Sequence, residues 1–211
     1  MSNISMTTSK RNAIVTVMLI SAFVSMLNQT ILNTALPAII KGLNITETTA
    51  QWLITGFMLV NGIMIPLTAF LMDKYSTRHL YIFSMAIFLI GSIVAAFSPT
   101  FTILMISRII QAIGAGILLP LMQFTVFTLF PAEQRGFAMG LAGVVVQSAP
   151  AIGPTLTGLF VDLFSWRMPF YLVSAIAAVA FILGFFFVEN NTKTKDIVLD
   201  KISVVNSTFG F

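Results

Sequence analysis

Cysteine is absent from the 211 residues, histidine occurs once, and charged side chains make up only 9% of the chain. Without cysteine there can be no disulfide, no thiol nucleophile and no thiolate metal site. The single histidine, His79, makes no metal site alone and reads as a solvated residue beside a polar turn. The shortage of charge excludes more. Soluble domains carry about 25% charged residues, and a chain that is 57% hydrophobic with so few charges does not read as one. No Gly-Lys-Ser/Thr phosphate cradle is present, so ATP-driven transport by this chain is not expected. No nucleophile, base and orienting group can be assembled either. The sequence therefore predicts no enzyme, no catalytic residue, no cofactor and no metal.

What the chain does have is apolar length. Residues 13–40, 48–72, 80–98, 102–130, 136–161 and 168–188 carry almost no charge. Each can supply the roughly 20 residues that cross a bilayer as a helix. The runs are continuous, not alternating, which favours helices over a β-barrel. The expected organisation is a cytoplasmic tail over 1–12, a six-helix bundle over 13–188 and a cytoplasmic linker over 189–201. A further apolar segment over 202–211 is too short to span and reads as the start of a truncated seventh helix. On this reading the chain is the front half of something longer. A cleaved signal peptide is not expected, because the first apolar stretch is too long and Asn28, Gln29 and Asn33 occupy the place of a small-residue cleavage site.

A hexapeptide pattern, Asp-x-aromatic-Ser-x-Arg, occurs twice: Asp73-Lys74-Tyr75-Ser76-Thr77-Arg78 and, 89 residues later, Asp162-Leu163-Phe164-Ser165-Trp166-Arg167. Three apolar stretches fit into that interval. The fold class is therefore all-α and integral to the membrane, with six transmembrane helices arranged as two three-helix repeats. An odd number of spans inverts the second repeat relative to the first.

Charge placement sets the orientation. With a cytoplasmic N-terminus, the inner segments hold Lys10, Arg11, Lys74, Arg78, Arg135, Lys193, Lys195 and Lys201, and the outer segments only Lys41 and Arg167. This is the positive-inside bias of a multi-pass cell-membrane protein. It accounts for the net charge of +4, and no nucleic-acid partner is read from it.

Arg108 is the only formal charge deep in a predicted span, and such a residue normally faces the protein interior with a partner. At 1.5 Å per residue it lies roughly 9 Å below the outer surface, and Asn28 lies roughly 22 Å up from the inner one, in a core about 30 Å thick. The two share a depth, which predicts a polar cluster of Asn28, Gln29, Arg108 and Gln111. Trp52 and Trp166 fit interfacial anchors. The 20 Phe and 12 Met are mostly lipid-facing or packing residues, with a few lining a greasy cavity.

Several segments resemble the major facilitator superfamily, and within it the fourteen-span drug/proton antiporter branch. Leu27-Asn28-Gln29-Thr30-Ile31-Leu32-Asn33-Thr34-Ala35-Leu36-Pro37 is similar to that branch's first-helix signature, which usually has Asp at the position of Asn28. Gln51-Trp52 resembles the start of its second helix. Ala69-Phe70-Leu71-Met72-Asp73-Lys74-Tyr75-Ser76-Thr77-Arg78 resembles a degraded form of the superfamily loop Gly-x-Leu-x-Asp-Arg-x-Gly-Arg-Arg. Arg108-Ile109-Ile110-Gln111-Ala112-Ile113-Gly114-Ala115-Gly116 resembles the fourth-helix Arg-x-x-Gln-Gly-x-Gly element. The segment around Gly153, Pro154 and Gly158 resembles the fifth-helix antiporter motif. The resemblance runs from about residue 13 to the end of the chain.

The resemblance implies that the Asn28, Gln29, Arg108 and Gln111 region ties proton coupling to substrate recognition. Asn28 cannot titrate, so either the coupling acid lies in the missing half, or Asp73 contributes, or the coupling is altered. The plainer alternative is a hydrogen-bonded helix clamp. Asp73 and Arg78 flank a tight turn, and the resemblance implies a cytoplasmic gate there; an ordinary charged loop is the alternative. Asp162 and Arg167 read as a structural echo of that turn. Pro150 and Pro154 should bend the fifth helix, and its small residues permit close approach. The resemblance implies that this bend, at Gly153, Pro154 and Gly158, seals the interface between halves.

The implied function is the N-terminal half of a proton-coupled multidrug efflux antiporter, exporting hydrophobic or cationic compounds by alternating access. Its partners would be membrane lipid, such drugs, protons and a C-terminal half. The alternative is a transport-inactive membrane fragment that assembles with a complementing C-terminal half.

Overall fold

Each apolar stretch folds as one helix. In the computed structural model residues 7–188 are described, and they form α1 (Thr8–Leu43), α2 (Glu47–Lys74), α3 (Thr77–Ala96), α4 (Phe101–Leu129), α5 (Ala132–Leu163) and α6 (Met168–Phe187). All six are long and apolar enough to cross a membrane. The expected linker at 189–201 and the apolar segment at 202–211 lie outside the described residues.

Helix ends depart from the apolar stretches where polar residues continue the backbone ladder. α1 begins at Thr8, so the expected bundle boundary at residue 13 falls inside a helix. A started helix adds one hydrogen bond per residue, and Ser9, Lys10, Arg11 and Asn12 cost it little once nucleated. At 36 residues α1 is about 54 Å long, well beyond a bilayer core.

The turns are short and locally specified. Thr46, Ser76 and Thr100 cap α2, α3 and α4, their hydroxyls accepting from the amides of Thr49 (3.2 Å), His79 (3.4 Å) and Ile103 (3.4 Å). Asn44 ends α1 in the left-handed region at φ 51°, a conformation asparagine tolerates better than most residues.

The packing interleaves the two triplets. α2 lies chiefly against α4, not against α3, its neighbour in sequence; likewise α5 lies chiefly against α1. Exchanging α1, α2 and α3 with α4, α5 and α6 maps one contact onto the other. The same exchange maps the α3–α4 contact onto α1–α6, and the α3–α6 contact onto itself. Six helices in two inverted three-helix repeats are thus visible in who touches whom.

The core has two parts. The larger contains Ile14, Met18, Phe57, Tyr81, Met85, Phe88 and Leu121. The smaller lies where α1, α3 and α5 end and contains Leu32, Ile39, Leu53, Leu104, Trp166 and Phe170. Trp52 is 56% exposed, in keeping with an interfacial position. Trp166 is not: it is 6% exposed, stacked edge-on against Phe170 and seated over Gly42, where a Cβ would collide with the indole. The absence of a side chain at Gly42 draws this ring into the core instead of leaving it at the interface.

Candidate functional site

The most buried charge belongs to α4. Arg108 is 1% exposed. Its Nη1 donates to Gln111 Oε1 at 2.8 Å, one helical turn away. Gln111 Nε2 donates to Ser92 Oγ on α3 at 3.0 Å, and Ser92 donates to the Phe88 carbonyl at 2.8 Å. The guanidinium lies over the ring of Phe57 on α2, 4.1 Å from its centroid. A neutral chain of hydrogen bonds and one aromatic face therefore hold the cation across three helices. Arg108 Nε has no hydrogen-bond partner.

Gly91 makes this arrangement possible. A Cβ at Gly91 would stand 2.8 Å from both Gln111 Cγ and the Gln111 amide nitrogen, and 3.0 Å from the Ser107 carbonyl. Gly114 continues the same close approach of α4 to α3, at Ser84 and Phe88, and Gly116 lets α4 approach α2, at Asn61 and Met64. Thr68 ties α2 to the Gly116 carbonyl at 3.2 Å.

The four residues of the expected cluster are thus only partly joined. Arg108 and Gln111 are bonded to each other. Asn28, on α1, is fully buried, and neither its Oδ1 nor its Nδ2 finds a hydrogen-bond partner. Gln29 is half-buried. Three residues past Met26, it lies one turn along the same face of α1.

At the other end of the bundle, Asp73 is exposed in the last turn of α2. Arg78 does not pair with it. Its Nη2 donates to the Phe185 carbonyl at 2.9 Å and its Nη1 to the Val188 carbonyl at 3.2 Å, both at the end of α6. The fifth-helix motif divides between two faces. Gly153 is buried against α1, where a Cβ would meet Thr30. Pro154 is exposed, and a Cβ at Gly158 would meet nothing within 4 Å.

A cavity of about 310 Å³ opens between α1, α4 and α5, and its lining includes Met26, Met122 and Met139 together with Gln123 and Gln147. No charged side chain lines it. Three thioethers give an adaptable apolar wall, and two primary amides offer donors and acceptors without fixing a charge preference. Sequence reasoning passed over Gln123 and Gln147, and also Ser92 and Phe57. Single polar residues in apolar helices were the available signal, but their direction depends on neighbours that the sequence does not specify.

Comparison with known proteins places this geometry. Residues 18–205 match the family model of the Major Facilitator Superfamily. The MFS-type transporter YcnB of Bacillus subtilis is 51% identical over 201 residues, covering 95% of this chain and 43% of that protein. The lincomycin resistance protein LmrB of Bacillus subtilis is 39% identical over 194 residues, covering 92% of this chain and 40% of that protein. The probable multidrug resistance protein EmrY of Escherichia coli is 35% identical over 153 residues, covering 72% of this chain and 30% of that protein. The crystal structure of the human organic anion transporter MFSD10 superposes with a TM-score of 0.75 at 18% identity, over 93% of this chain and 53% of that one. At that identity the likeness concerns the fold alone. The chain spans less than half the length of these curated relatives.

Proposed function

Because this chain belongs to the major facilitator superfamily, we propose that it forms the first six-helix half of a drug efflux transporter, whose substrates are apolar or cationic compounds. The observation that carries this reading is the uncharged, methionine-lined cavity between α1, α4 and α5. Such a wall takes flat or flexible apolar molecules by contact area and repels no cation. Relatives named for lincomycin and multidrug resistance support the same class.

In this reading transport is alternating access between two bundles, coupled to protons in a fourteen-span antiporter of the cell membrane. The segment from Leu27 to Pro37 supports that branch by its resemblance. A cytoplasmic N-terminus is supported by Lys10, Arg11, Lys74, Arg78 and Arg135 at one end of the bundle against Lys41 and Arg167 at the other. Asn28 carries no proton, and the acids at Glu47, Asp73, Glu133 and Asp162 are all exposed. In this reading the coupling carboxylate belongs to the second half or to the rim at Asp73, or the coupling is altered. Asn28, Gln29, Arg108 and Gln111 line or brace the path, and Asp73 stands free to meet the second half as a gate.

The complementing half would cover α2 and α5. Both leave broad apolar faces open, among them Met58, Leu59 and Ile63 on α2 and Leu141, Val144 and Ile152 on α5. The same faces favour the second reading, a half that is inactive until that partner is supplied, with Pro154 and Gly158 at the join.

A chimera tests the proposal. The first six helices of LmrB are replaced by residues 1–188 of this chain, and lincomycin resistance and ethidium efflux are measured in a sensitive host. The chimera should confer both, and Met122→Ala and Gln147→Ala should change the ratio between them. A membrane-inserted chimera that exports neither compound, or variants with an unaltered substrate profile, would sink the reading.

A further inference from the structure

The end of the bundle at which α1 begins also holds the end of α4 and the start of α5. Two guanidinium groups meet there at one residue, Phe130. Arg11, in the first turn of α1, lies over the Phe130 ring, 4.4 Å from its centroid. Arg135, in the first turn of α5, donates Nε to the Phe130 carbonyl at 3.0 Å and stacks on the Phe127 ring at 4.3 Å. Both arginines are half-buried. The carbonyl engages only Nε of Arg135, which leaves its two outer amino groups without a hydrogen bond among the described residues. Arg11 Nε is buried without a hydrogen-bond partner.

Both cations are therefore held in place by neutral groups. Among the described residues neither forms an ion pair. Glu133, the acid nearest in sequence, is exposed in the first turn of α5. Two like charges that contact the ring and the carbonyl of one residue, each without a counter-charge among the described residues, gain from an anion within reach of both. The guanidinium fork matches the oxygens of a phosphate bidentately. The site sits at a helix end, the depth of lipid headgroups, and Phe127 is 52% exposed beside it, an apolar ring on the bundle's surface.

We propose that Arg11 and Arg135 bind a phosphodiester anion, supplied by the headgroup of an anionic lipid whose acyl chain runs along Phe127. The inference is independent of drug transport. Dissolved phosphate offers the same oxygens but no chain for Phe127.

Native mass spectrometry of the purified 211-residue chain, with phosphatidylglycerol or phosphatidylcholine added at matched concentration, tests this. Phosphatidylglycerol should bind more tightly. Arg11→Gln and Arg135→Gln should each weaken it about fivefold, and the double variant roughly 30-fold. Lys41→Gln, at the opposite end, should leave it unchanged. Phosphatidylglycerol should also raise the thermal unfolding temperature of the unaltered chain but not of the double variant, a readout that reports separately on folding. Equal binding of the two lipids, or undiminished phosphatidylglycerol binding in the double variant, overturns the site. Inorganic phosphate that, at the same concentration, raises the unfolding temperature as much as phosphatidylglycerol does overturns the lipid assignment.

Discussion

Arg78 and Arg167 cap each other's helices. Arg78, near the start of α3, donates to carbonyls at the end of α6. Arg167, immediately before α6, donates Nη2 to the Ser98 carbonyl just past the end of α3 at 2.8 Å. The two helices run antiparallel, so an arginine at the start of either lies beside the other's carbonyl-rich end, where the helix dipole favours a cation. Aromatic rings steady both: Arg78 lies 5.6 Å from Phe185 and Arg167 lies 4.1 Å from Trp166. The repeated hexapeptide thus has a shared physical task. Its arginine is the cap, while its aspartates, Asp73 and Asp162, are exposed in both copies.

Replacing either arginine by glutamine should therefore destabilise the bundle by about 1 kcal/mol, the worth of a charge-assisted cap at a partly exposed helix end. The caps sit at opposite ends of helices about 30 Å long, so the Arg78→Gln and Arg167→Gln effects should add in the double variant. Unfolding in detergent, followed by circular dichroism, measures this. Double-variant stability equal to that of either single variant would show that the caps are not independent.

Gly91→Ala should cost about 1–3 kcal/mol by overpacking. The added methyl would press on the Gln111 backbone and the Ser107 carbonyl, which cannot rotate aside as a flexible side chain would. The substitution touches neither Arg108 nor Phe57 directly. Reduced thermal stability of Gly91→Ala, together with reduced efflux in the LmrB chimera, is the expected result. A variant as stable as the parent would mean that α3 and α4 part without cost.

The sequence carried the helices and their symmetry because both are written in one dimension, as apolar runs and a repeated hexapeptide. The inward direction of Arg108 was legible too, since a lone charge in an apolar span faces the protein interior, and it is 1% exposed. The directions of other side chains were not legible. Arg78 reads as one flank of a charged turn, yet it reaches α6, more than 100 residues away. Asn28 and Arg108 read as lying at one depth, but depth does not supply the rotation of α1, and no hydrogen bond joins them. Trp166 reads as an interfacial ring until Gly42, on another helix, opens a seat for it. Gln123 and Gln147 acquire meaning only when α4 and α5 are set against α1.

The fifth-helix motif should divide in its response to mutation. At Gly153 a methyl would meet Thr30, whose hydroxyl already donates to the Leu27 carbonyl at 2.9 Å. Gly153→Ala should lower the stability of the six-helix chain by about 1–3 kcal/mol. At Gly158 nothing stands in the way, and Gly158→Ala should be neutral or stabilising by up to about 1 kcal/mol through helix propensity. Thermal unfolding of the two variants side by side decides it. Equal losses would mean that the two glycines serve the same contact.

Asn28 sets stability against function. Its amide is fully buried and both polar atoms lack partners, a condition that costs a folded protein about 1–3 kcal/mol. Leucine has the same branching and the same number of side-chain heavy atoms, two slightly bulkier methyl groups and no polar group to leave unpaired. Asn28→Leu should therefore leave stability unchanged or raise it by up to about 2 kcal/mol, while lowering lincomycin resistance in the LmrB chimera. The two readouts separate the possibilities. Greater stability with undiminished resistance would make Asn28 a packing residue that transport does not use. Lower stability would mean that the amide is hydrogen-bonded in the membrane by water or by the complementing half, and the orphaned-amide account would fail.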